Sequence, residues 1–500
     1  MVHRDVVTQM DFFRELAVKA RNLTEITDPS PVDVGALGGF PYYFKNASNI
    51  FTEHAWSYIT STLAPKDASG DEYRMLGTSF GRQYLEYVQD VQFVLSSETR
   101  ERLNQAEIDN QEAAQRLVAD YERIFGEIDD DQLDEAGVET KVGYILDHQI
   151  PTWADNPRFR LRTGSVDDLE TILPNRPSEA DGLLVALCEY LNGLEHVLPI
   201  INEQLAARAR LNLIMQHIKH PSKENGGMQT VGADGKSKKY RIAVKPTREP
   251  KAIRADLEKG TSSVSIHVAA EHYRLGEASL RIDGRAAGII GWSGLLVLGT
   301  SSASYTLDKF AAEHTSVEID VSFKGLSFVQ FTPAPLSDDG STGWFDPAVL
   351  REAVENDGED VTGFHLHRFP ARQVANFAVQ QGLVLGNLPS IKVRYSTSAW
   401  NQTAEEMRQS DDLVVSLFGI PLSSANNHYK KAKFERDTSK NSFTITVEPN
   451  PASATPSLTD HRAHVLGVQV GRPFAPVPKI PVPAAGELDV TTDKEPLAHA

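Results

Sequence analysis

The stretch of sequence that decides the fold class covers residues 317–323 and reads Val317-Glu318-Ile319-Asp320-Val321-Ser322-Phe323. Apolar and polar side chains alternate at every step, as in a strand with one face in the core and one face in solvent. The same period of two recurs at residues 264–268, 326–331, 391–395 and 443–447. We therefore predict a mainly antiparallel, β-rich domain over residues 240–448, with short helices after Asp346 and after Pro370.

Helical periodicity dominates the chain before residue 221. Residues 76–126 and 178–220 predict two long antiparallel helices, and a heptad-like apolar stripe follows residues 103–124. Pro199 is expected to kink or divide the second helix and Pro221 to end it. The sequence thus predicts an α+β fold, in which a long-helix bundle over residues 1–221 is followed by a linker over residues 222–239 and then by the β-rich domain.

Proline recurs at short intervals after residue 449, most densely between residues 473 and 483. Such spacing favours an extended, polyproline-like conformation without a core of its own. We therefore predict an extended proline-rich tail over residues 449–500, with a disordered end.

The charge balance limits the classes of partner. The 500 residues carry a formal net charge of −18, whereas a general nucleic-acid binder needs a positive surface to displace the counterions of the phosphate backbone. No nucleic acid is expected as a partner. The motif search predicts no cofactor either, because no glycine-rich segment has the spacing of a phosphate-binding loop.

The single cysteine, Cys188, excludes a disulfide within the chain. Together with the lack of a basic, then apolar, leader at residues 1–23, this favours a cytoplasmic protein, with export without a cleaved signal peptide as the alternative. No run of 18 apolar residues occurs, so the sequence predicts no constitutive transmembrane segment.

A basic stretch between residues 219 and 254 stands out in so acidic a chain. Its candidate partner-binding residues are Lys236, Lys238, Lys239, Arg241 and Lys245. The simplest interpretation is a solvated linker and strand edge, where lysine discourages edge-to-edge pairing. The alternative is docking onto an acidic surface, either anionic lipid or another subunit. The acidic segment 129–135 would suit self-association of identical chains.

An uncharged, glycine-rich segment spans residues 286–299. Its large apolar residues are Ile289, Ile290, Trp292, Leu295, Leu296, Val297 and Leu298. It predicts either a buried strand pair with a glycine turn or a concealed hairpin that enters a bilayer after a conformational change. Two long helices with a hidden apolar hairpin would be loosely similar in architecture to helical pore-forming toxins, a likeness that no motif supports.

Histidine pairs are the only candidates for a metal site. In a strand, His365 and His367 would point to the same face and could provide two ligands. No HExxH or CxxC motif frames any pair, and fifteen histidines produce close pairs by chance. The alternative is a sheet surface that carries two imidazoles.

No catalytic signature emerges from these patterns. The sequence favours a non-enzymatic assembly, scaffold or partner-binding protein that acts through charged and apolar surfaces and associates with itself or with another protein. Two alternatives remain: a membrane-active, pore-forming-toxin-like protein that uses residues 286–299, and an enzyme of unrecognised type with a metal at His365 and His367.

Overall fold

The computed structural model describes most of the chain in long segments: residues 49–65, 73–155, 160–274 without 233 and 243, 316–396 and 461–476. Shorter described segments, such as 277–282, 285–291, 296–299 and 433–437, lie between or before them. The strands are β1 (Val32–Asp33), β2 (Phe40–Tyr43), β3 (Ser61–Pro65), β4 (Tyr73–Ser79), β5 (Val91–Val94), β6 (Met228–Val231), β7 (Lys238–Arg241), β8 (Val244–Pro246), β9 (Ser263–Arg274), β10 (Glu277–Ile282), β11 (Arg285–Gly291), β12 (Leu296–Gly299), β13 (Ser304–Thr306), β14 (Ser316–Lys324), β15 (Leu326–Pro333), β16 (Gly363–Leu366), β17 (Ala378–Gly386), β18 (Ser390–Ser396), β19 (Val414–Leu417), β20 (Ile420–Pro421), β21 (Lys433–Asp437), β22 (Ser442–Val447) and β23 (His461–Gly471).

The helices alternate with these strands. They are α1 (Glu53–Ile59), α2 (Phe80–Asp90), α3 (Ser97–Asp109), α4 (Gln111–Phe125), α5 (Asp130–Ala136), α6 (Lys141–Gly143), α7 (Ile150–Trp153), α8 (Val166–Ile172), α9 (Leu184–Gly193), α10 (Leu198–Lys219), α11 (Pro250–Lys259), α12 (Pro347–Glu355) and α13 (Ala371–Ala375). A π-helical turn, Tyr144–Gln149, joins α6 to α7, and a 3-10 turn, Ser178–Leu183, precedes α9.

The largest sheet combines strands from both ends of the chain. Its main path has the order β1-β4-β3-β17-β15-β8, and β23 pairs with both β17 and β2. The pair β1–β4 is parallel, whereas β17 lies antiparallel to β3, β15 and β23. β17 is buried at every position but one, as expected for a central strand that is covered on both faces.

A second, seven-stranded sheet has the order β11-β10-β9-β14-β18-β22-β21. The alternating stretch at residues 317–323 forms β14, and its apolar residues Val317, Ile319, Val321 and Phe323 are buried as predicted. The strands predicted at residues 264–268, 391–395 and 443–447 are confirmed as β9, β18 and β22. The stretch 326–331 is also a strand, β15, but it belongs to the largest sheet.

Two hydrophobic cores meet along α10. Leu198, Ile201 and Leu205 belong to a core that is formed by the helices between residues 95 and 205. Leu211 and Ile214, further along the same helix, belong to a core of helix and sheet residues that includes Phe80, Trp344 and Leu383. Two nearby arginines of α10 also contact different parts of the fold. Arg208 pairs with Asp147 of the helical region, and Arg210 pairs with Asp346, which precedes α12.

The predicted α+β fold with an N-terminal long-helix bundle was wrong. The described chain is a mixed α/β structure, and β3 and β4 from the first 80 residues lie in one sheet with β15, β17 and β23. Apart from α10, its helices are short, and the described residues form no bundle of long helices. Sequence periodicity identifies elements, but strands that are about 300 residues apart pair through tertiary packing that no local pattern reveals.

The helix predicted over residues 76–126 begins only at Phe80, because residues 76–79 belong to β4, and it is then broken at two places. Val91–Val94 forms β5 and pairs with β16, because this short apolar run finds its partner far along the chain. Asn110 then separates α3 from α4, and its side-chain Nδ2 donates to the carbonyl oxygen of Tyr190 at 2.9 Å. The predicted division at Pro199 is confirmed, since α9 ends at Gly193 and α10 begins at Leu198.

Two predicted irregular segments also contain strands. The linker predicted over residues 222–239 includes β6 and the start of β7, which form an antiparallel hairpin. The tail predicted from residue 449 includes β23, which is part of the largest sheet. Residues 477–500 lie outside the described part of the chain, so the structure does not test the disorder predicted for its end.

Candidate functional site, a basic hairpin

The basic residues predicted to bind a partner lie on or beside the hairpin of β6 and β7. Met228 pairs with Arg241, and Val231 pairs with Lys238, so the two strands are in register over four residues. We call residues 228–241 the basic hairpin. Residues 232–237 close it, where glycine and aspartate favour a tight turn.

The turn is held by the carboxylate of Asp234. Its Oδ1 accepts hydrogen bonds from the backbone N–H groups of Lys236 at 2.9 Å and Ser237 at 2.8 Å, and its Oδ2 accepts from the Ser237 hydroxyl. The Ser237 hydroxyl and these N–H groups lower the pKa of Asp234 to about 2. Gly235 supplies the left-handed backbone conformation with φ of 68°. These contacts favour one backbone conformation at residues 234–237, which include Lys236.

The inner side of the basic hairpin is anchored to α1 and to the residues before it. Thr230 and Val231 are buried, and the Val231 N–H donates to the Phe51 carbonyl oxygen at 3.1 Å. Arg241 donates to Glu53 Oε1 at 2.7 Å, and its guanidinium lies 5.4 Å from the centre of the Trp56 ring. The Arg241 side chain therefore points toward the protein, and we leave it out of the residues proposed to dock a partner.

The other four candidate lysines are exposed to solvent. Lys236, Lys238, Lys239 and Lys245 are exposed, and none of these four lysines forms an ion pair with a carboxylate in the described part of the chain. Tyr240 between them is 39% exposed. Because Lys238, Lys239 and Tyr240 are consecutive, both faces of β7 reach solvent. Lys245 lies on a different strand, β8 of the largest sheet.

We expect Arg241→Gln to loosen the basic hairpin without removing its exposed lysines. The substitution deletes the ion pair with Glu53 and the contact with Trp56, which together stabilise the hairpin by about 1 kcal/mol. Hydrogen exchange followed by mass spectrometry should show faster exchange at residues 228–241 and unchanged exchange in β17. Lys239→Gln, which removes the same charge from an exposed side chain, is the matched control. Equal exchange in the two variants would contradict the anchoring role.

The predicted metal pair is not brought together as two ligands on one strand. The strand β16 ends at Leu366, so only His365 belongs to it, and His367 lies in the bend that follows. His365 Nε2 is 2.8 Å from the Val361 carbonyl oxygen, a distance at which the nitrogen donates its proton. In the described residues, no group of three or more His, Cys, Asp or Glu side chains is placed to hold a metal ion.

The apolar segment 286–299 is divided between two sheets. Ile289 and Ile290 lie in β11, which pairs with β10, whereas Leu296, Val297 and Leu298 lie in β12, which pairs with β13 and β19. Trp292 and Leu295 fall outside the described residues. The prediction that the two halves of this segment pair with each other was wrong, because each half finds its hydrogen-bond partners elsewhere.

A small cavity beside β17 contains a feature that sequence analysis missed. The cavity has a volume of about 50 Å³, and Thr60, Ser61 and Gln380 are among its polar lining residues. Gln380 is 4% exposed and donates to the Tyr58 carbonyl oxygen at 2.6 Å, while its Oε1 has no partner among the described residues. The lining of the cavity is mainly apolar, but the unpaired Gln380 Oε1 and the nearby polar residues suit an ordered water molecule at that end. The sequence feature that could have indicated this buried polar group is a pair of glutamines inside the apolar run of residues 378–385.

Comparison of the chain with protein-family models, with curated proteins and with solved structures finds no match. Among the described residues, no single helix is long and apolar enough to cross a membrane. Only the pair Ser178–Gly193 and Leu198–Lys219, bent by 114°, meets that test when its two members are taken together. Any functional assignment therefore rests on the geometry of the basic hairpin.

Proposed function

We propose that the protein is a non-enzymatic partner-binding protein that docks onto acidic surfaces through the basic hairpin. The observation that supports this proposal is a set of exposed lysines on and beside an anchored hairpin, which form no ion pair with any carboxylate that the structure describes, in a chain of net charge −18. Charges of one sign on a fixed surface attract an oppositely charged partner and orient it during encounter. A cytoplasmic location, which the single cysteine favours, belongs to the same proposal.

The anchoring of the basic hairpin supports docking over a simple solvated loop. A partner that binds a flexible loop must first order it, and that ordering costs free energy. Here Asp234 holds the turn, Val231 is buried and Arg241 contacts Trp56, so the strand is already ordered. The backbone that carries the lysines is therefore presented at little further entropic cost.

The two alternatives from the sequence receive no comparable support. Residues 286–299 are divided between two sheets, so their strand pairing offers no support for the membrane-active alternative. The geometry around His365 and His367 does not favour a metal enzyme, since no third ligand lies beside them among the described residues. Neither alternative is therefore part of the proposal.

The proposal is tested by binding to immobilised poly-glutamate, which represents an acidic surface in its simplest form. We expect the full chain to bind at about 0.02 M salt and to be released at about 0.5 M salt, where screening shortens the reach of charges. The variant Lys238→Glu/Lys239→Glu should bind about 10-fold or more weakly.

The control for this experiment is Lys223→Glu/Lys324→Glu, which makes the same change in net charge at exposed lysines outside the basic hairpin. It should bind nearly as well as the original chain. If the control and the hairpin variant lose binding equally, net charge alone explains the result and the docking proposal is wrong. Failure of the original chain to bind at low salt would also overturn it.

A further inference from the structure

The chain carries, on its own surface, an acidic segment that complements the basic hairpin. The helix α5 begins after Asp129, whose carboxylate accepts from the Gln132 N–H at 2.8 Å, while the Gln132 side chain accepts from the Asp129 N–H at 3.1 Å. This reciprocal cap fixes the start of the helix. Its carboxylates at positions 130, 131, 134 and 135 are exposed and form no ion pair with a described cation.

The acidic helix and the basic hairpin belong to different parts of the fold. α5 contacts the π-helical turn Tyr144–Gln149 of the helical core, whereas the basic hairpin is anchored on residues 50–56 beside the other core. Within one chain, no ion pair joins them among the described residues. Each surface therefore keeps its charge available for a second molecule.

From this complementarity we infer that the partner of the basic hairpin is α5 of a second copy of the chain. The inference rests on the proposed docking function and names its partner. A seven-residue helix rises about 10 Å, and the four residues of β7 extend about 13 Å, so the two charged surfaces match in length. Lys236, Lys238 and Lys239 of one copy then face the exposed carboxylates of the other.

Lysine on an exposed strand has another explanation, since it also prevents strands from pairing edge to edge. The two explanations differ in their response to charge reversal. Glutamate protects an edge as lysine does, so Lys238→Glu/Lys239→Glu leaves the association state unchanged if edge protection is the only role. If the lysines contact a second copy, the same substitution weakens association about 10-fold or more.

The test measures self-association by sedimentation velocity with three forms of the full chain. The original chain should associate weakly at about 0.02 M salt, with Kd on the order of 100 µM, and should dissociate at about 0.5 M salt. The hairpin variant Lys238→Glu/Lys239→Glu and the helix variant Asp134→Lys/Glu135→Lys should each raise Kd about 10-fold or more. The helix substitutions lie in the last turn of α5, where a positive charge favours the helix dipole.

Mixing the two variants gives the sharpest result. The hairpin variant keeps the original α5 and the helix variant keeps the original basic hairpin, so an equimolar mixture can form one original contact and should associate more tightly than either variant alone. Glu101→Lys/Glu112→Lys, which changes exposed carboxylates outside α5, is the control for the helix variant. It should behave like the original chain.

The outcomes separate this inference from the function on which it rests. If the original chain stays monomeric at low salt but binds poly-glutamate through the basic hairpin, the docking function stands and the second copy is not its partner. If the hairpin variant loses association but the helix variant does not, another acidic surface is the contact and the inference is overturned. If poly-glutamate binding also fails, the docking function itself is wrong.

Discussion

Asp90→Ala is expected to lower the free energy of unfolding by about 3 kcal/mol, because it takes the shared side-chain acceptor away from three backbone N–H groups of residues 367–369. The Asp90 side chain is fully buried at the end of α2. Its carboxylate accepts from the backbone N–H groups of His367, Arg368 and Phe369 at 2.9–3.2 Å and from Arg368 Nε at 2.9 Å. Urea unfolding followed by circular dichroism measures the loss.

The pKa of Asp90 reflects the same contacts. Burial acts to raise it, but the hydrogen bonds from Phe369, Arg368 and His367 outweigh burial and hold the pKa below its usual value. A carboxylate with a lowered folded pKa stabilises the protein above its unfolded pKa, and this contribution is lost as the pH falls through the folded pKa. The contribution of Asp90 is therefore fully present at neutral pH.

Arg368→Ala is the matched control for Asp90→Ala. The Arg368 side chain is 70% exposed, so its removal should cost less than about 1 kcal/mol, as for other exposed ion pairs. The backbone donors of residues 367–369 remain paired with Asp90 in this variant. Equal destabilisation by the two substitutions would show that the ion pair, not the backbone contacts, carries the energy.

The second large effect is a loss of stability in mild acid that depends on His464. This residue lies in β23 opposite Gly386, and its ring centre is 5.8 Å from that of Phe323. Burial lowers the pKa of His464 to about 4. The unfolded chain, with an ordinary histidine pKa near 6.5, takes up the proton first, so stability is complete above about pH 6.5 and falls until about pH 4. The difference corresponds to about 3 kcal/mol.

His464→Phe should reduce this acid dependence, because phenylalanine keeps an aromatic ring beside Phe323 and carries no titrating group. The free energy of unfolding is measured for both chains between about pH 4 and pH 8, and the difference between the two curves isolates His464. His196→Phe, at an exposed histidine of the helical region, is the matched control. Parallel curves for the original chain and His464→Phe would mean that His464 is not buried in its neutral form.

The elements that sequence analysis predicted well are those with a strong local period. The strands β14, β18 and β22 follow from alternation at residues 317–323, 391–395 and 443–447. The division at Pro199 follows from the missing N–H of proline. In each case the determining interaction lies within a few residues, so a single sequence contains it.

The failures have the opposite cause. By sequence alone, Val91–Val94 is an ordinary apolar run. It forms a strand because it pairs with β16, which lies about 270 residues further along the chain. By sequence alone, Asn110 fits the helical stripe. In the structure it separates α3 from α4, and its side-chain amide donates to the Tyr190 carbonyl oxygen. The fold class was wrong for the same reason, because β3 and β17 join in one sheet. Long-range pairing decides these points, and local propensity does not encode it.

The candidate site was predicted in part. The charge count identified the lysines of the basic hairpin, but not the inward turn of Arg241, which depends on Glu53 and Trp56 nearly 190 residues away. The predicted linker was a hairpin, since glycine and aspartate at residues 232–235 specify a turn as well as a loose segment. Gln380 and Asp90 carried no charge pattern that would mark them as buried hydrogen-bonding centres.

The position of α10 has a consequence for cooperativity. Its first half is packed in one core and its second half in the other, with no break between Leu198 and Lys219. Melting either core alone would require the helix to fray at its middle, which would strip packed side chains from the half that remains folded. We therefore expect the two cores to unfold together, so that destabilising either one lowers the stability of both.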